Sequence, residues 1–458
     1  MEIPAQIPSR RNSEQPESPL QVATLTGQKR YRRAIIYGIV VFVVALLVRL
    51  ALVLPNRPTT LPELAEPVQI ALSLVTTGRY ADAYGAGSGP TAHCPPLYPV
   101  LLSFLLKIFG TGARGAVAID VFGSAGAALA FALLPALAVA GGIGVAPGVL
   151  AGMAGALLPV NFYSQTAPFE AGWTAVALVA LCLMVCRIWA TARFTKSEGM
   201  AFGIAAGFAC LLNPALIPIL VAWSLVSAVR YRPQWRRVLV FIAVATVSVL
   251  TVLAPWAIRN YKELGALIWT RSNFGLELQL SNNDDMTASF DVNAWLPKFL
   301  HPLTTVSERA KVRMLGEVAY HRSKQTQAFA WITSHKQRFL LLTAERFRLF
   351  WLPAMKRRWQ SVFEAALTLM ALCGLAVLFR RKASFAWTLT AVLAAYPAVY
   401  YVIQASPRYR FPIEPVLFLL AANLFFSILG RAFSGLEFPR KNGRGSGVTP
   451  ASLSASLP

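Results

Sequence analysis

Hydrophobic residues fall into long unbroken runs separated by short polar, basic or proline-containing stretches. The first run, 34–54, would form about 30 Å of helix, the thickness of a bilayer's hydrocarbon core. Lys29, Arg30, Arg32 and Arg33 precede it, which places the N-terminus in the cytoplasm. Comparable runs cover 114–140, 143–161, 173–192, 238–256, 361–379, 384–403 and 412–430. The run 199–229 has basic residues at both ends: Arg187, Arg193 and Lys196 before it, Arg230, Arg232, Arg236 and Arg237 after it. A single crossing would leave one cluster outside, so the run is predicted to be two short helices turning at Asn213-Pro214. The segment 97–109 would make roughly 20 Å of helix, too short to span, and is predicted as a re-entrant or juxtamembrane helix on the outer face.

The pattern predicts an all-α integral membrane protein with about ten transmembrane helices, juxtamembrane helices and a helical outer-face segment, both termini being cytoplasmic. The expected divisions are a disordered tail 1–33, an N-terminal membrane region 34–256 with an outer loop 55–113, an outer-face helical segment 257–360, C-terminal membrane helices 361–430, and a second tail 431–458. Two shorter outer loops are expected at 162–172 and 404–411.

Composition sharpens this picture. Of 458 residues 56% are hydrophobic and 14% charged. Soluble domains carry about 25% charged residues, so an ordinary soluble enzyme is excluded. The formal net charge of +23 would point to nucleic acid in a soluble chain, but here it flanks apolar runs and orients them. The five cysteines, Cys94, Cys182, Cys186, Cys210 and Cys373, have no metal spacing, and four lie in apolar runs, so no disulfide framework is expected. No internal repeat is visible, which weighs against inverted-repeat transporters.

Candidate chemistry sits on the outer face. The stretch after the first run, LPELAEPVQIALSLVTTG, is predicted as an amphipathic helix with Glu63 and Glu66 at its start, Pro67 at a first helical position and Gly78 as the stop. GPTAHCPPLYPVLL follows, its proline pair fixing an extended entry to the short apolar helix. The second outer loop carries Glu170. In the long segment, Thr305 and Glu308 have capping-box spacing. The last loop, ASPRYRFPIEP, sets Arg408 and Arg410 around Tyr409 at the membrane boundary, where arginines meet phosphate head groups. Arg49 lies inside the first run near its outer end, where it either snorkels outward or serves function.

Taken in order, ELAEPVQIALSL, GPTAHCPPLYPVLL, APWAIRNY, RSNFGLEL, SNND and SPRYRFPIEP resemble the bacterial GT-C glycosyltransferases, polytopic enzymes related to protein O-mannosyltransferases and to the aminoarabinose transferase of lipid A. The resemblance covers about residues 34–430. It implies an inverting transferase in the bacterial inner membrane. Such an enzyme takes a sugar from a polyprenyl-phosphate-linked donor to an acceptor hydroxyl or amine of a protein, lipid or glycan on the periplasmic face. Membrane lipids are expected partners; nucleic acid is not. The family's usual Asp-Glu pair after the first span reads Ala65-Glu66 here. The resemblance therefore makes Glu66 the expected base, with Glu63 and Asp82 behind it, and Glu170 as an orienting acid. It points to Arg408, Arg410, Arg259 and Asn260 for the donor phosphate, and to Tyr98 and His93 at the acceptor entrance. No clustered Asp-x-Asp occurs outside, and Asp284-Asp285 suits a turn, so no cofactor and no required metal are expected. The rival readings are a transporter or flippase, or a non-catalytic binder, of lipid-linked sugars.

Overall fold

The structure is a computed structural model that describes residues 19–56, 58–158, 160 and 168–434. The outer parts of both expected tails and most of the loop 162–172 lie outside the described residues. The helices are, in order, α1 (Pro19–Val53), α2 (Glu66–Thr77), α3 (Leu97–Phe109), α4 (Ala113–Ala132), α5 (Leu134–Ala140), α6 (Val145–Leu157), α7 (Ala171–Thr191), α8 (Lys196–Leu212), α9 (Ile217–Arg230) and α10 (Trp235–Leu264). The second half holds α11 (Phe274–Ser281), α12 (Phe290–Asn293), α13 (Val306–Leu315), α14 (Glu317–Ser334), α15 (Lys336–Trp351), α16 (Arg358–Arg380), α17 (Ser384–Ala395), α18 (Ala398–Val402), α19 (Pro407–Arg410) and α20 (Glu414–Ser434). Among the described residues the only β pairing is two isolated bridges, Ala81 with Pro90 and Ser289 with Ala405. The chain is an all-α integral membrane protein, as its apolar runs predict.

Among the described residues, seven helices are long and apolar enough to cross a membrane. The other three expected crossings are helical but short: α6, α8 and α9 have 13, 17 and 14 residues. The turn between α8 and α9 falls at Asn213 and Pro214, where the flanking charge put it. The Asn213 side chain accepts from the Ala215 N–H and caps the short 3-10 turn that follows. α1 starts upstream of the apolar run, at Pro19, so part of the expected tail is helical instead.

Small residues let the spans approach closely. A Cβ at Gly374 of α16 would strike the Leu420 carbonyl of α20, and one at Gly155 of α6 would strike the Phe131 ring of α4. This is how membrane helices gain dispersion contacts where no hydrophobic effect drives them together. Arg49 does not snorkel: it is fully buried and donates to the Ala45 and Gly155 carbonyls.

The segments 55–113 and 257–360 pack together through Ile70, Tyr80, Tyr84, Leu276, Leu303 and Tyr320, forming a cap over one end of the bundle. α2 carries Pro67 in its first turn and stops at Gly78, whose φ of 71° favours glycine. Val68 and Ala71 of α2 bury against Tyr98, Leu102 and Leu106 of α3, so α2 packs on protein. α11 to α15 make up the helical segment between the α10 and α16 spans. Thr305 precedes α13 but forms no capping box. Glu308 is instead drawn inward, where Lys311, Lys324 and Tyr320 hold it at 2.6, 2.7 and 2.6 Å.

Candidate active site

Glu66 opens α2 with its side chain largely buried under the cap. Burial raises its pKa above the usual 4.5, the nearby Arg408 and Arg271 pull it back, and Glu170 pushes it up again. One carboxylate under the influence of two guanidinium groups and a second acid, without a direct ion pair to either cation among the described residues, is the electrostatic core of the site.

Each of these side chains is set by a different element. Glu170 sits at the residue before α7, its side chain free of the helix end, and the hairpin tip reaches it through Asn213 Nδ2, 3.5 Å from its Oε1. Arg408 lies on α19, started by Ser406, whose hydroxyl accepts from the Arg408 N–H. Its guanidinium stacks 4.0 Å over Phe169 and 5.4 Å from Phe290, and donates to the Tyr409 hydroxyl at 3.2 Å. The loop carrying it is tied to the outer segment by the Phe290 N–H to Ala405 carbonyl and Ala405 N–H to Ala288 carbonyl bonds. Arg271 sits before α11. Burial opposes its charge, yet Cys94, Glu170 and Glu277 hold its pKa above the ordinary value. Arg271 Nε has no hydrogen-bond partner among the described residues.

A histidine and tyrosine network closes the other side. The Tyr84 hydroxyl lies 2.8 Å from His93 Nδ1 and 2.8 Å from His321 Nε2, donating to one and accepting from the other. Burial pushes His93 well below 6.5, His301 down to about 4 and His321 down to about 3, so all three are neutral near pH 7. Glu317, first residue of α14, accepts from the Thr91 hydroxyl, the Ala92 N–H and the Ser272 hydroxyl. That carboxylate clamps the His93 loop to the outer segment.

Glu66, His93 and His301 are the one set of three such groups, among the described residues, close enough to hold a cation, with ligand atoms within 4.8 Å of one another. His301 Nδ1 accepts from the Leu303 N–H at 3.1 Å. A neutral imidazole that accepts at Nδ1 carries its proton on Nε2. His301 Nε2 therefore faces Glu66 Oε1, 3.6 Å away, as a donor. To bind metal through Nε2 it would need its proton on Nδ1, against the Leu303 N–H. The trio as arranged suits proton handling better than cation binding.

The structure thus brings together Glu66, Glu170, His93 and Arg408 of the expected residues. It does not bring the others. Glu63 is exposed, and its contact is the Gln69 side chain donating to its backbone carbonyl. Arg410 turns away into the bundle, paired with Glu364 at 3.0 Å and donating to Thr368 Oγ1 at 3.0 Å. Arg259 spends its donors on the Thr91 and Tyr80 carbonyls at 2.7 and 2.5 Å, bracing the loop below His93. Asn260 holds the Ile268 carbonyl at 2.8 Å. Tyr98 is buried beside Phe122 and its hydroxyl has no partner among the described residues. Asp82 shapes a turn through the Ser73 hydroxyl and Gly89 N–H. Arg271, His301, Tyr84 and Glu317 were not foreseen as site residues; Arg271 alone lies in a motif that carried the resemblance.

No family model and no curated protein matches the chain. Solved structures do. An archaeal oligosaccharyltransferase, AglB from Archaeoglobus fulgidus in complex with an inhibitory peptide and a dolichol-phosphate, matches over 90% of this chain at 13% identity with a TM-score of 0.53. A second structure of the Archaeoglobus fulgidus oligosaccharyltransferase, tethered with an acceptor peptide containing the NVT sequon, matches over 88% at 14% identity with a TM-score of 0.54. The chain spans about half the length of these proteins, 52% and 51%. ArnT from Cupriavidus metallidurans bound to undecaprenyl phosphate also matches, over 87% of this chain and 78% of its own at 15% identity, but its TM-score of 0.39 is too low to argue from. Oligosaccharyltransferases are GT-C enzymes, and the chain shares their membrane fold, the one its sequence motifs resemble.

Proposed function

We propose that the chain is an inverting glycosyltransferase that moves a sugar from a polyprenyl-phosphate-linked donor to an acceptor hydroxyl or amine on the periplasmic face of a bacterial inner membrane, with both termini cytoplasmic. The observation that carries this reading is Glu66, largely buried with His93 and His301 against it and within electrostatic reach of Arg408 and Arg271. Glu66 accepts the acceptor's proton as its heteroatom attacks the anomeric carbon. The bond from that carbon to the phosphate oxygen breaks, and the polyprenyl phosphate leaves with the electron pair, its charge met by Arg408 and Arg271. Attack and departure on opposite faces of one carbon invert it. Glu170 orients Arg271 and Arg408, and neutral His301 donates toward Glu66. The AglB structure holds a dolichol-phosphate, a lipid phosphate of the same chemical kind.

The transporter reading is disfavoured by what surrounds the buried charges: Arg410 is paired with Glu364, and Arg49 is bonded to backbone carbonyls. Midplane charges in transporters line a substrate path. The test is turnover. Reconstituted protein is given a panel of polyprenyl-phosphate sugars with protein, lipid and glycan acceptors, and release of free polyprenyl phosphate is followed. Release that fails in Glu66→Gln supports the assignment. Release that is equal in both removes Glu66 as base, and none with any donor removes the enzyme.

A further inference from the structure

At the end of the bundle away from Glu66 lies a cleft of about 690 Å³, between the turn joining α7 to α8 and the start of α10. Arg193, Lys196, Arg236 and Arg237 line it, with Thr195 and Val240. No acidic side chain contributes to its wall. None of the four cations has an ion pair among the described residues. The neighbouring carboxylate, Glu198, accepts from the Thr195 hydroxyl, and that hydroxyl in turn accepts from the Glu198 N–H and caps α8. All four are exposed, and gathered without an acidic partner they make this wall a strongly positive surface that attracts anions.

Its depth identifies the anion's source. The spans Ala171–Thr191 and Arg232–Leu264 both end at this cleft, which therefore sits at head-group level. Trp235, exposed beside Arg236, is the aromatic expected at that level. Below it α10 presents Leu239, Val240, Val247 and Leu250, all exposed along the span. A phosphate in the cleft would carry its acyl chains down that apolar face.

We propose that this cleft binds the head group of an anionic phospholipid on the leaflet opposite the Glu66 site. Guanidinium forks from Arg193, Arg236 and Arg237 hold the phosphate oxygens, and Lys196 adds a point charge. The site is independent of the glycosyl-transfer assignment.

Native mass spectrometry of the detergent-purified chain, titrated with phosphatidylglycerol or phosphatidylcholine of equal chain length, tests it. Phosphatidylglycerol is expected to bind at least tenfold more tightly, and Arg236→Gln/Arg237→Gln to bring it to the phosphatidylcholine level. Arg236→Lys/Arg237→Lys, which keeps the charge, should retain most of the preference, as should Arg230→Gln/Arg232→Gln outside the cleft. Equal binding of the two lipids overturns the proposal, as does a preference that survives the Gln pair. Displacement of the lipid by equimolar inorganic phosphate would mean a free-anion site and also overturns it.

Discussion

Acidification from pH 7 to pH 5 should destabilise this protein through the three buried histidines around Tyr84. In the unfolded chain each imidazole takes up a proton near pH 6.5, whereas in the fold His301 stays neutral down to about 4 and His321 down to about 3. A group whose pKa is lowered by folding contributes stability that is present above the unfolded pKa and lost as pH falls toward the folded one. At pH 5 the unfolded state carries nearly one extra proton per histidine, which corresponds to about 2 kcal/mol lost per group relative to pH 7. His301 and His321 together give about 4 kcal/mol, a large part of the stability of any domain. Glu66 and Glu317 act in the opposite sense. Their pKa values are raised, so their charged forms penalise the fold at neutral pH and the penalty fades in acid. Comparing wild type with His321→Gln cancels the carboxylates. Thermal unfolding in detergent at pH 7, 6 and 5 should show a steep fall for wild type and a shallower one for the variant. A variant that loses stability with pH as steeply as wild type would refute the reasoning, because it would place His321 in water or in its charged state.

Other outcomes follow from the same geometry. Glu66→Gln should lower turnover by roughly 10²–10⁴-fold, the range for removing a general base. It should also raise the thermal midpoint at pH 7, because it removes a buried charge; the gain vanishes in acid, where wild-type Glu66 is protonated too. The acid limb of the rate profile should lie above pH 4.5, Glu66's usual value, and move further up in Arg408→Ala, which removes a cation that lowers it. Arg410→Ala should destabilise by about 3–5 kcal/mol through the unpaired Glu364, with donor affinity unchanged in whatever fraction folds. Activity should survive dialysis against EDTA. A rate restored only by added metal would refute the assignment of His301 Nε2 as a donor to Glu66.

The membrane helices were legible because the bilayer imposes a length and a sign rule that a sequence carries openly. The turn at Asn213-Pro214 was read from charge on both flanks, and the short α3 from its length. The site was legible only where a single motif holds the residue, as with Glu66, His93 and Arg408. Arg408 and Arg410 are equivalent in PRYR, but two residues along a helix is about 200° of rotation, so Arg408 stacks on Phe169 while Arg410 pairs with Glu364. Arg259 and Asn260 bond to backbone carbonyls for a related reason: polar residues at the end of α10 can brace loops as readily as bind ligand. Arg271 and His301 come from irregular stretches brought to Glu66 by α11, α14 and the Ala288–Ala405 pairing, and no local spacing announces such a meeting. The capping box at Thr305 failed because Lys311, Lys324 and Tyr320 offer Glu308 more than a helix start does.

Thermal unfolding of the purified protein against polyprenyl monophosphate, polyprenyl pyrophosphate and phospholipid tests the donor site without knowledge of sugar or acceptor. A ligand at 100 times its dissociation constant adds about 2.7 kcal/mol. Selective stabilisation by the monophosphate, lost in Arg271→Ala/Arg408→Ala and kept in Arg259→Lys, is the expected result. Equal stabilisation by all three lipids, or a monophosphate response that survives loss of both arginines, would contradict the assignment of Glu66, Arg271 and Arg408 as one catalytic site.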